Sequence, residues 1–492
     1  MKFKFLAINF IILSLAVINS CSHRAVIKDD SEGYLASPAR QIEQLLKNPS
    51  LDPAHIGIYI EELETGKIIF AKNEHKLLMP ASNMKLVTTA SALSLLGPEY
   101  KYETEFYYDG EISNGVLNGN LIIKGSGDPV ICGRFHGNNP DSIFTLWSKK
   151  IKELGINKIN GKIIGDNSLY QDDGLGYGWE KDDLPYYYAA KTSSLSFNDN
   201  CIDLHFLPGD KIGDPVNITQ YPVKNYTPII NEMVTVHKDS SSSSAFIRSY
   251  NQKEMTIKGK MKLGAKKDID WATVTDPADF FMAAMVEELQ KNGIQTNKYV
   301  VTKDEIDYTT KTLLFVHESV PMKLIVENIN KISNNFYAET VLKSLYKKDK
   351  VTTKKAVNTE KEFLASFGID TSRIFIMDGS GLSRHNLVTV HQISTILKYM
   401  RGTENGELYK KSLPVGGIDG TLKRRFKTGN AKGHVFAKTG YVGRVRALSG
   451  YVEAVNGKEY VFSIIANHYP TPTRTINSLQ DQIVTIIYNQ NN

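Results

Sequence analysis

The sequence predicts a mixed α/β (α+β) fold in which helices pack on an antiparallel sheet and a β-rich region is inserted between two parts of that unit. Three observations carry this. Apolar, β-branched runs stand near both ends of the chain, Ile56-Gly57-Ile58-Tyr59-Ile60 at the front and residues 435–438, 447–455 and 460–466 at the back. Helical periodicity clusters next to them, after Ser82 and again from residue 277. Between the two, residues 101–270 alternate short β-like runs with turns. At 492 residues the chain exceeds one ordinary core. The expected division is therefore a helix-and-sheet domain from 41–100 and 271–492, with 101–270 as one or two inserted β-rich domains.

Composition narrows the class. A hydrophobic content of 41% with 23% charged residues belongs to a soluble globular protein. A net charge of +6 is mild for this length, and the lysines are interleaved with acids, which gives no case for nucleic-acid binding.

Residues 1–20 stand apart. Lys2 and Lys4 form a short positive start, and the apolar run 5–17 is too short for a comfortable membrane span, so this reads as an export signal. It ends in Ile18-Asn19-Ser20-Cys21, which resembles the bacterial lipoprotein signal, whose cysteine is lipidated and becomes the mature N-terminus. Asn19 is an unusual occupant of its position, so a plain cleaved signal is the alternative. A lipid on Cys21 is the one membrane attachment the sequence offers. Residues 21–40 are polar and aperiodic, as a tether is. Cys132 and Cys201 then remain, either paired by export or as two buried thiols. There is no Cys/His cluster with zinc-ligand spacing and no His-Glu-x-x-His, so metal catalysis has no support.

The elements follow in order. The strand at 56–60, the turn Glu64-Thr65-Gly66-Lys67 and the returning strand Ile68-Ile69-Phe70 form a hairpin that delivers the chain to Ser82. Leu86, Ala90 and Leu93 recur at helical spacing, and Gly97 supplies the stop. Strand-like runs at 102–108, 119–124 and 161–166 open the insertion, and Ser240 to Ser244 form a polar loop. Helical periodicity returns at 277–292, where Met282, Met285, Val286 and Leu289 share a face, then at 322–330 and 335–347. The closing strands lead to a final helix at 474–489.

Three short patterns carry chemistry. Ser82-Asn83-Met84-Lys85 opens a helix, so the lysine returns to nearly the same face as the serine, one turn on. A serine hydroxyl needs a base within hydrogen-bond reach, and a buried lysine amine can lose its proton and serve. The bland alternative is an N-cap serine and a solvated lysine. Ser333-Asn334-Asn335 lies where one helix passes into the next, and Lys438-Thr439-Gly440 ends an apolar strand. Copies exist elsewhere: Ser344/Lys347, Ser196/Asn198, Ser249/Asn251 and Lys427-Thr428-Gly429. Order and setting separate them, because Lys427 sits among Arg424, Arg425 and Gly429-Asn430, a solvated loop, whereas a strand edge can present backbone groups to a substrate.

Ser-x-x-Lys, Ser-x-Asn and Lys-Thr-Gly in that order form the pattern of penicillin-binding proteins and serine β-lactamases. Together with Gly125-Ser126-Gly127-Asp128-Pro129, residues 328–339 (NINKISNNFYAE), Asp378-Gly379-Ser380-Gly381-Leu382-Ser383-Arg384, Leu413-Pro414-Val415 and residues 417–422, the chain resembles the low-molecular-mass (class C) penicillin-binding proteins of the D-alanyl-D-alanine carboxypeptidase/endopeptidase type, peptidase family S13. The resemblance spans nearly the whole mature chain and implies a serine β-lactamase/DD-peptidase-like domain carrying insertions between Ser82 and Ser333.

It also implies roles. Ser82 attacks the carbonyl of the penultimate D-Ala of a peptidoglycan stem peptide and Lys85 takes its proton; Ser333 relays a proton to the leaving D-Ala. Asn335 contacts the peptide and orients Lys85, Lys438 and Thr439 bind the terminal carboxylate, and Gly440 completes that motif. The N–H groups of Ser82 and Tyr441 form the oxyanion hole. β-Lactam antibiotics would acylate the same serine, and no metal or organic cofactor is implied. Tyr441 departs from the small hydroxyl residue commoner at its position, and its side chain should point away if only its N–H is used. Asp166 and Arg384 are candidates for gripping a charged stem peptide, against a turn aspartate and a surface ion pair as the plain alternatives. The competing functions are a β-lactamase and a non-catalytic wall-binding lipoprotein; against the first, no Glu-x-x-x-Asn stretch between Ser82 and Ser333 stands out as an evident deacylating element.

Overall fold

The computed structural model describes residues 37–296, 298–348 and 350–491. The export signal, Cys21 and most of the tether lie outside the described residues; the last tether residues, from Pro38, open a helix, Pro38–Leu46, capped by the Ser37 side chain.

A five-stranded antiparallel sheet carries the frame, in the order Val435–Val442, Val445–Glu453, Glu459–Asn467, His55–Glu62, Ile68–Lys72. The N-terminal hairpin thus completes a sheet begun by the C-terminal strands. Both faces are covered. Ile56, Ile58 and Ile60 share a core with Leu448, Phe462 and Ile464 under the C-terminal helix Thr473–Tyr488, while Tyr59, Tyr451, Val461 and Ile465 face the opposite core. The period-2 alternation within each strand explains how one run can feed two cores.

On that opposite face the helix Met84–Leu95 is buried almost all round, from Met84 to Leu93. It packs against Met322–Ile332, Asn335–Ser344, Thr353–Ser366 and Val390–Arg401. A helix buried on every side, Lys85, Thr88, Thr89 and Ser91 included, belongs inside such a bundle rather than on a surface. The chain reaches it through Met79, whose N–H donates to Asn467 Oδ1 at 2.7 Å and whose carbonyl accepts from Asn467 Nδ2 at 3.1 Å.

The insertion extends further than the sequence indicates. Its five-stranded sheet runs Tyr299–Thr302, Ile163–Asp166, Leu121–Lys124, Glu103–Tyr108, Thr312–Glu318. The strands at 299–302 and 312–318, with the helix Pro277–Lys291, therefore belong to it, and the return to the helix-and-sheet unit falls near residue 320 rather than 271. Phe280, Phe281, Met282 and Phe315 share a core with Phe106, Phe144 and Trp147. Helical periodicity reports that a helix has a buried face but not which sheet it covers, which is why 271 looked like a boundary. Three three-stranded sheets, Asn217–Tyr221/Cys201–Leu207/Asp268–Thr273, Ile229–Val236/Met255–Lys262/Ser243–Ile247 and the small Glu111–Ser113/Val116–Asn118/Lys158–Ile159, form the rest of its bulk. Cys132 and Cys201 are buried free thiols.

Because Asn467 satisfies both backbone polar groups of half-buried Met79, Asn467→Ala should cost about 1–3 kcal/mol of stability in a urea melt, since two backbone groups lose their partners.

Candidate active site

Ser82 sits where a turn becomes a helix. Ala81–Asn83 forms one 3₁₀ turn that runs into Met84–Leu95, and Ala81 takes a φ of 46°, rare for a residue with a Cβ. Ser82 is partly exposed in a cleft of about 490 Å³, whereas Lys85 is fully buried one turn on. Lys85 Nζ lies 3.1 Å from Ser82 Oγ, 2.6 Å from Asn335 Oδ1 and 2.6 Å from the Ser380 carbonyl. Burial lowers its pKa to about 7, although Glu339 and Asp378 pull the other way. An amine this close to neutrality can take a proton from the hydroxyl beside it.

Asn335 is fixed from its other end. Its Nδ2 donates to the Tyr188 carbonyl of the insertion at 2.7 Å, which leaves Oδ1 for Lys85. Ser333 ends the helix Met322–Ile332 in a left-handed conformation, φ 64°. Its Oγ accepts from Lys438 Nζ at 2.8 Å. Lys438 is also fully buried, and burial first, with Lys85 second, holds its pKa well below the lysine range.

The strand Val435–Val442 passes close to the Ser82 turn. Asn83 Nδ2 donates to the Lys438 carbonyl at 3.0 Å, and a Cβ on Gly440 would stand 2.7 Å from the Pro80 carbonyl oxygen. Only a glycine lets the two backbones approach so closely. Thr439 Oγ1 lies 2.8 Å from Thr421 Oγ1. The Tyr441 ring is 57% exposed, with the Arg446 guanidinium 4.0 Å above it, while the residue itself lines the cleft.

Ser82, Lys85, Ser333, Asn335, Lys438, Thr439, Gly440 and Tyr441 are thus brought together. Arg384 joins them at the cleft wall, donating to Glu180 Oε1 at 2.6 Å and to the Gly443 carbonyl at 3.1 Å. Asp166 does not. It is buried in the insertion's central sheet, where it accepts from the Tyr308 hydroxyl at 2.5 Å and from Ser168 N–H at 2.8 Å, and it lines a separate cavity. An aspartate closing a strand is held by that strand's neighbours, and nothing in its local sequence reveals on which side of a domain it lies. Among the duplicate motifs, Ser344 Oγ is engaged with the Tyr102 hydroxyl at 2.7 Å, and Lys427 stays exposed on its loop.

Sequence reasoning missed the insertion's contribution. Glu180, Asp183, Tyr187 and Tyr188 all line the cleft, along with Arg134 and Asp199, which pair with each other. The run Tyr186-Tyr187-Tyr188 was visible as aromatic loop sequence, but no spacing tied it to Ser82. Among the described residues no group of three or more His, Cys, Asp or Glu side chains is placed to hold a metal ion.

The model of the D-Ala-D-Ala carboxypeptidase 3 (S13) family matches residues 39–490. The chain belongs to that family. This S13 peptidase is 28% identical over 460 residues to the D-alanyl-D-alanine carboxypeptidase of Actinomadura sp. strain R39, covering 91% of this chain and 84% of that one. In fold it resembles penicillin-binding protein 4 of Haemophilus influenzae, with a TM-score of 0.80 at 24% identity over 92% of this chain and 99% of that one. The same relative complexed with a β-lactam gives 0.75 at 22% identity, over 92% and 99% of the two chains.

The loop at 378–384 is pressed against the Ser82 turn: Gly381 has a φ of 83°, and a Cβ there would fall 1.8 Å from the Ala81 carbonyl oxygen. Gly381→Ala should therefore lose about 2–4 kcal/mol of stability in a denaturant melt and slow acylation of Ser82 measured by stopped-flow fluorescence.

Proposed function

We propose that this S13 peptidase removes the terminal D-Ala from peptidoglycan stem peptides, or cuts the equivalent bond of a cross-link, through an acyl-enzyme on Ser82. One observation carries the reading: a fully buried amine whose pKa is lowered to about 7 lies 3.1 Å from a cleft-facing hydroxyl. Lys85 takes the Ser82 proton as Oγ attacks the penultimate D-Ala carbonyl. The oxyanion forms against the N–H groups of Ser82 and Tyr441. Ser333, hydrogen-bonded to Lys438, relays a proton to the departing nitrogen, and water then hydrolyses the ester.

The strand at Lys438 and Thr439 receives the terminal carboxylate. The opposite wall, with Arg384, Glu180 and Asp183, offers both signs of charge to the rest of the stem. A β-lactam acylates the same serine, as a compound that keeps its leaving group tethered. The N-terminal segment supports export and a lipid on Cys21, and among the described residues no helix is long and apolar enough to cross a membrane.

Ser82→Ala should abolish labelling by fluorescent penicillin and leave muropeptide masses unchanged, where the parent removes one D-Ala or splits dimers; residual turnover above about one thousandth of the parent would sink the assignment. The acylation rate should rise with pH through about 7. Below that value the buried amine holds its proton and cannot act as a base, so the rate should fall about tenfold per pH unit. Cys21→Ser should release the protein from the membrane fraction of its host, and retention there would end the lipid proposal.

A further inference from the structure

The loop Asp378-Gly379-Ser380-Gly381-Leu382-Ser383-Arg384 supplies Arg384 to the cleft wall from its second half and the Ser380 carbonyl to Lys85 from its first. That first half is pinned to a buried carboxylate. Glu339 Oε1 accepts from Ser380 N–H at 2.8 Å, and Oε2 accepts from Gly379 N–H at 3.2 Å. The same two residues turn their carbonyls to the Ser82 helix: Ser380 O lies 2.6 Å from Lys85 Nζ, and Gly379 O accepts from Thr88 Oγ1 at 2.9 Å. Glu339 also stands four residues after Asn335 on the helix Asn335–Ser344, one turn along the same face. Two successive turns of one helix therefore hold the amine, Asn335 directly and Glu339 through the residue Ser380, whose N–H donates to it and whose carbonyl meets the amine.

We propose that Glu339 is a positioning residue for Lys85: its carboxylate fixes the carbonyl of Ser380 against the amine and sets the charge under which that amine gains and loses its proton. The inference rests on the reading of Ser82 and Lys85 given above.

The groups around it divide the work: the Gly381 N–H held by Asp378 belongs to the peptide group that carries the Ser380 carbonyl, so Asp378 steadies that carbonyl from the loop side while Glu339 holds the Ser380 N–H from the helix. Asp378 is fully buried and faces inward to its own loop, accepting from Gly381 N–H at 2.8 Å, Ser383 N–H at 2.6 Å and Asn386 Nδ2 at 2.7 Å, and from Trp179 Nε1 at 2.9 Å. Glu360, from the helix Thr353–Ser366, is buried as well, and burial pushes its pKa up to about 8, so it is largely a neutral acid at pH 7. Lys343, one turn beyond Glu339, is engaged by Asp172 of the insertion. On the strand side, Lys438 is the second buried lysine, held well below its usual range by burial and by Lys85. Of the acids packed here, Glu339 is the one that holds the Ser380 N–H, and it does so from the helix that also carries Asn335. Burial and the nearby Asp378 raise Glu339 to about 7, which puts its ionisation in the same pH range as that of Lys85.

The sign of the effect follows. A carboxylate near Lys85 favours the ammonium form, so taking the negative charge away makes Lys85 easier to deprotonate and a weaker base. Glu339→Gln keeps size and one acceptor but cannot hold both N–H groups. The test is the second-order rate of acylation by benzylpenicillin across pH 5–9, for the parent, Glu339→Gln, Glu339→Asp and Glu360→Gln, with a thermal melt of each. For Glu339→Gln the midpoint of the acid limb should move about one pH unit downward, and the plateau rate should fall about tenfold. Glu339→Asp keeps the charge and should keep the parent midpoint even if its rate drops, which also serves where the glutamine variant does not fold. Glu360→Gln should keep both midpoint and plateau. A Glu339→Gln protein that melts lower but keeps the parent midpoint would overturn the proposal, as would a Glu339→Asp protein whose midpoint moves. Parent protein that penicillin does not acylate would instead remove the reading of Ser82 on which the proposal stands.

Discussion

The structure depends on how one amine is kept out of water. Taking an ammonium from solvent costs more than a few neutral acceptors return, so a lysine with no exposure gives up its proton far more readily than a free one. Lys85 meets a hydroxyl, an amide oxygen and a peptide carbonyl, and no carboxylate touches it directly. The nearest acids act one step away through the loop at 378–384, which restores part of the lost charge stabilisation and leaves the balance near neutrality. Had an aspartate stood where Asn335 does, the ion pair would have locked the proton on the amine. The amide is therefore a chemical requirement of the site as well as a packing choice.

Holding that arrangement takes elements from the whole chain, the insertion included. Tyr188 orients Asn335, Trp179 donates to Asp378, Asp172 engages Lys343 and Glu180 receives Arg384. Each contact crosses from the insertion to a group that faces the cleft or supports it. The inserted sheets are consequently part of the site's construction: without the Tyr188 carbonyl, the Asn335 amide would have no reason to present its oxygen to Lys85.

How much of this was legible in the sequence follows from what kind of signal each residue leaves. Ser82, Lys85 and Lys438 are tied to regular elements, a helix entry and an apolar strand, and periodicity exposes those. The duplicates at Lys427 and Ser344 could be set aside by their surroundings alone. The helices Thr353–Ser366 and Val390–Arg401 escaped, since their apolar stripes are broken by charged residues that face solvent on the other side. The late end of the insertion escaped because strand pairing between residues 163–166 and 299–302 leaves no local trace. Asp166 was drawn to the cleft by its residue type, and its actual partner, Tyr308, lies 142 positions away in sequence. Backbone partners are the hardest case: the carbonyls of Tyr188 and Ser380 decide the state of the site, yet any residue could supply them.

The two lysines show how an anionic ligand would change the charge of the cleft as well as its contents. Lys85 and Lys438 are both buried, and each ammonium disfavours the other. A second positive charge is therefore poorly supported by the protein alone, and Lys438 leans on Ser333 Oγ and the Thr439 carbonyl, neither of them ionised. A substrate whose terminal carboxylate reaches this strand brings the missing counter-charge, which favours the ammonium at Lys438. A full charge there further disfavours protonation of Lys85, the state that a general base must avoid. Binding an anionic end at one lysine would in this way help to free the other for work on Ser82, so that recognition and activation are joined by charge across a few ångströms rather than by any movement of the fold.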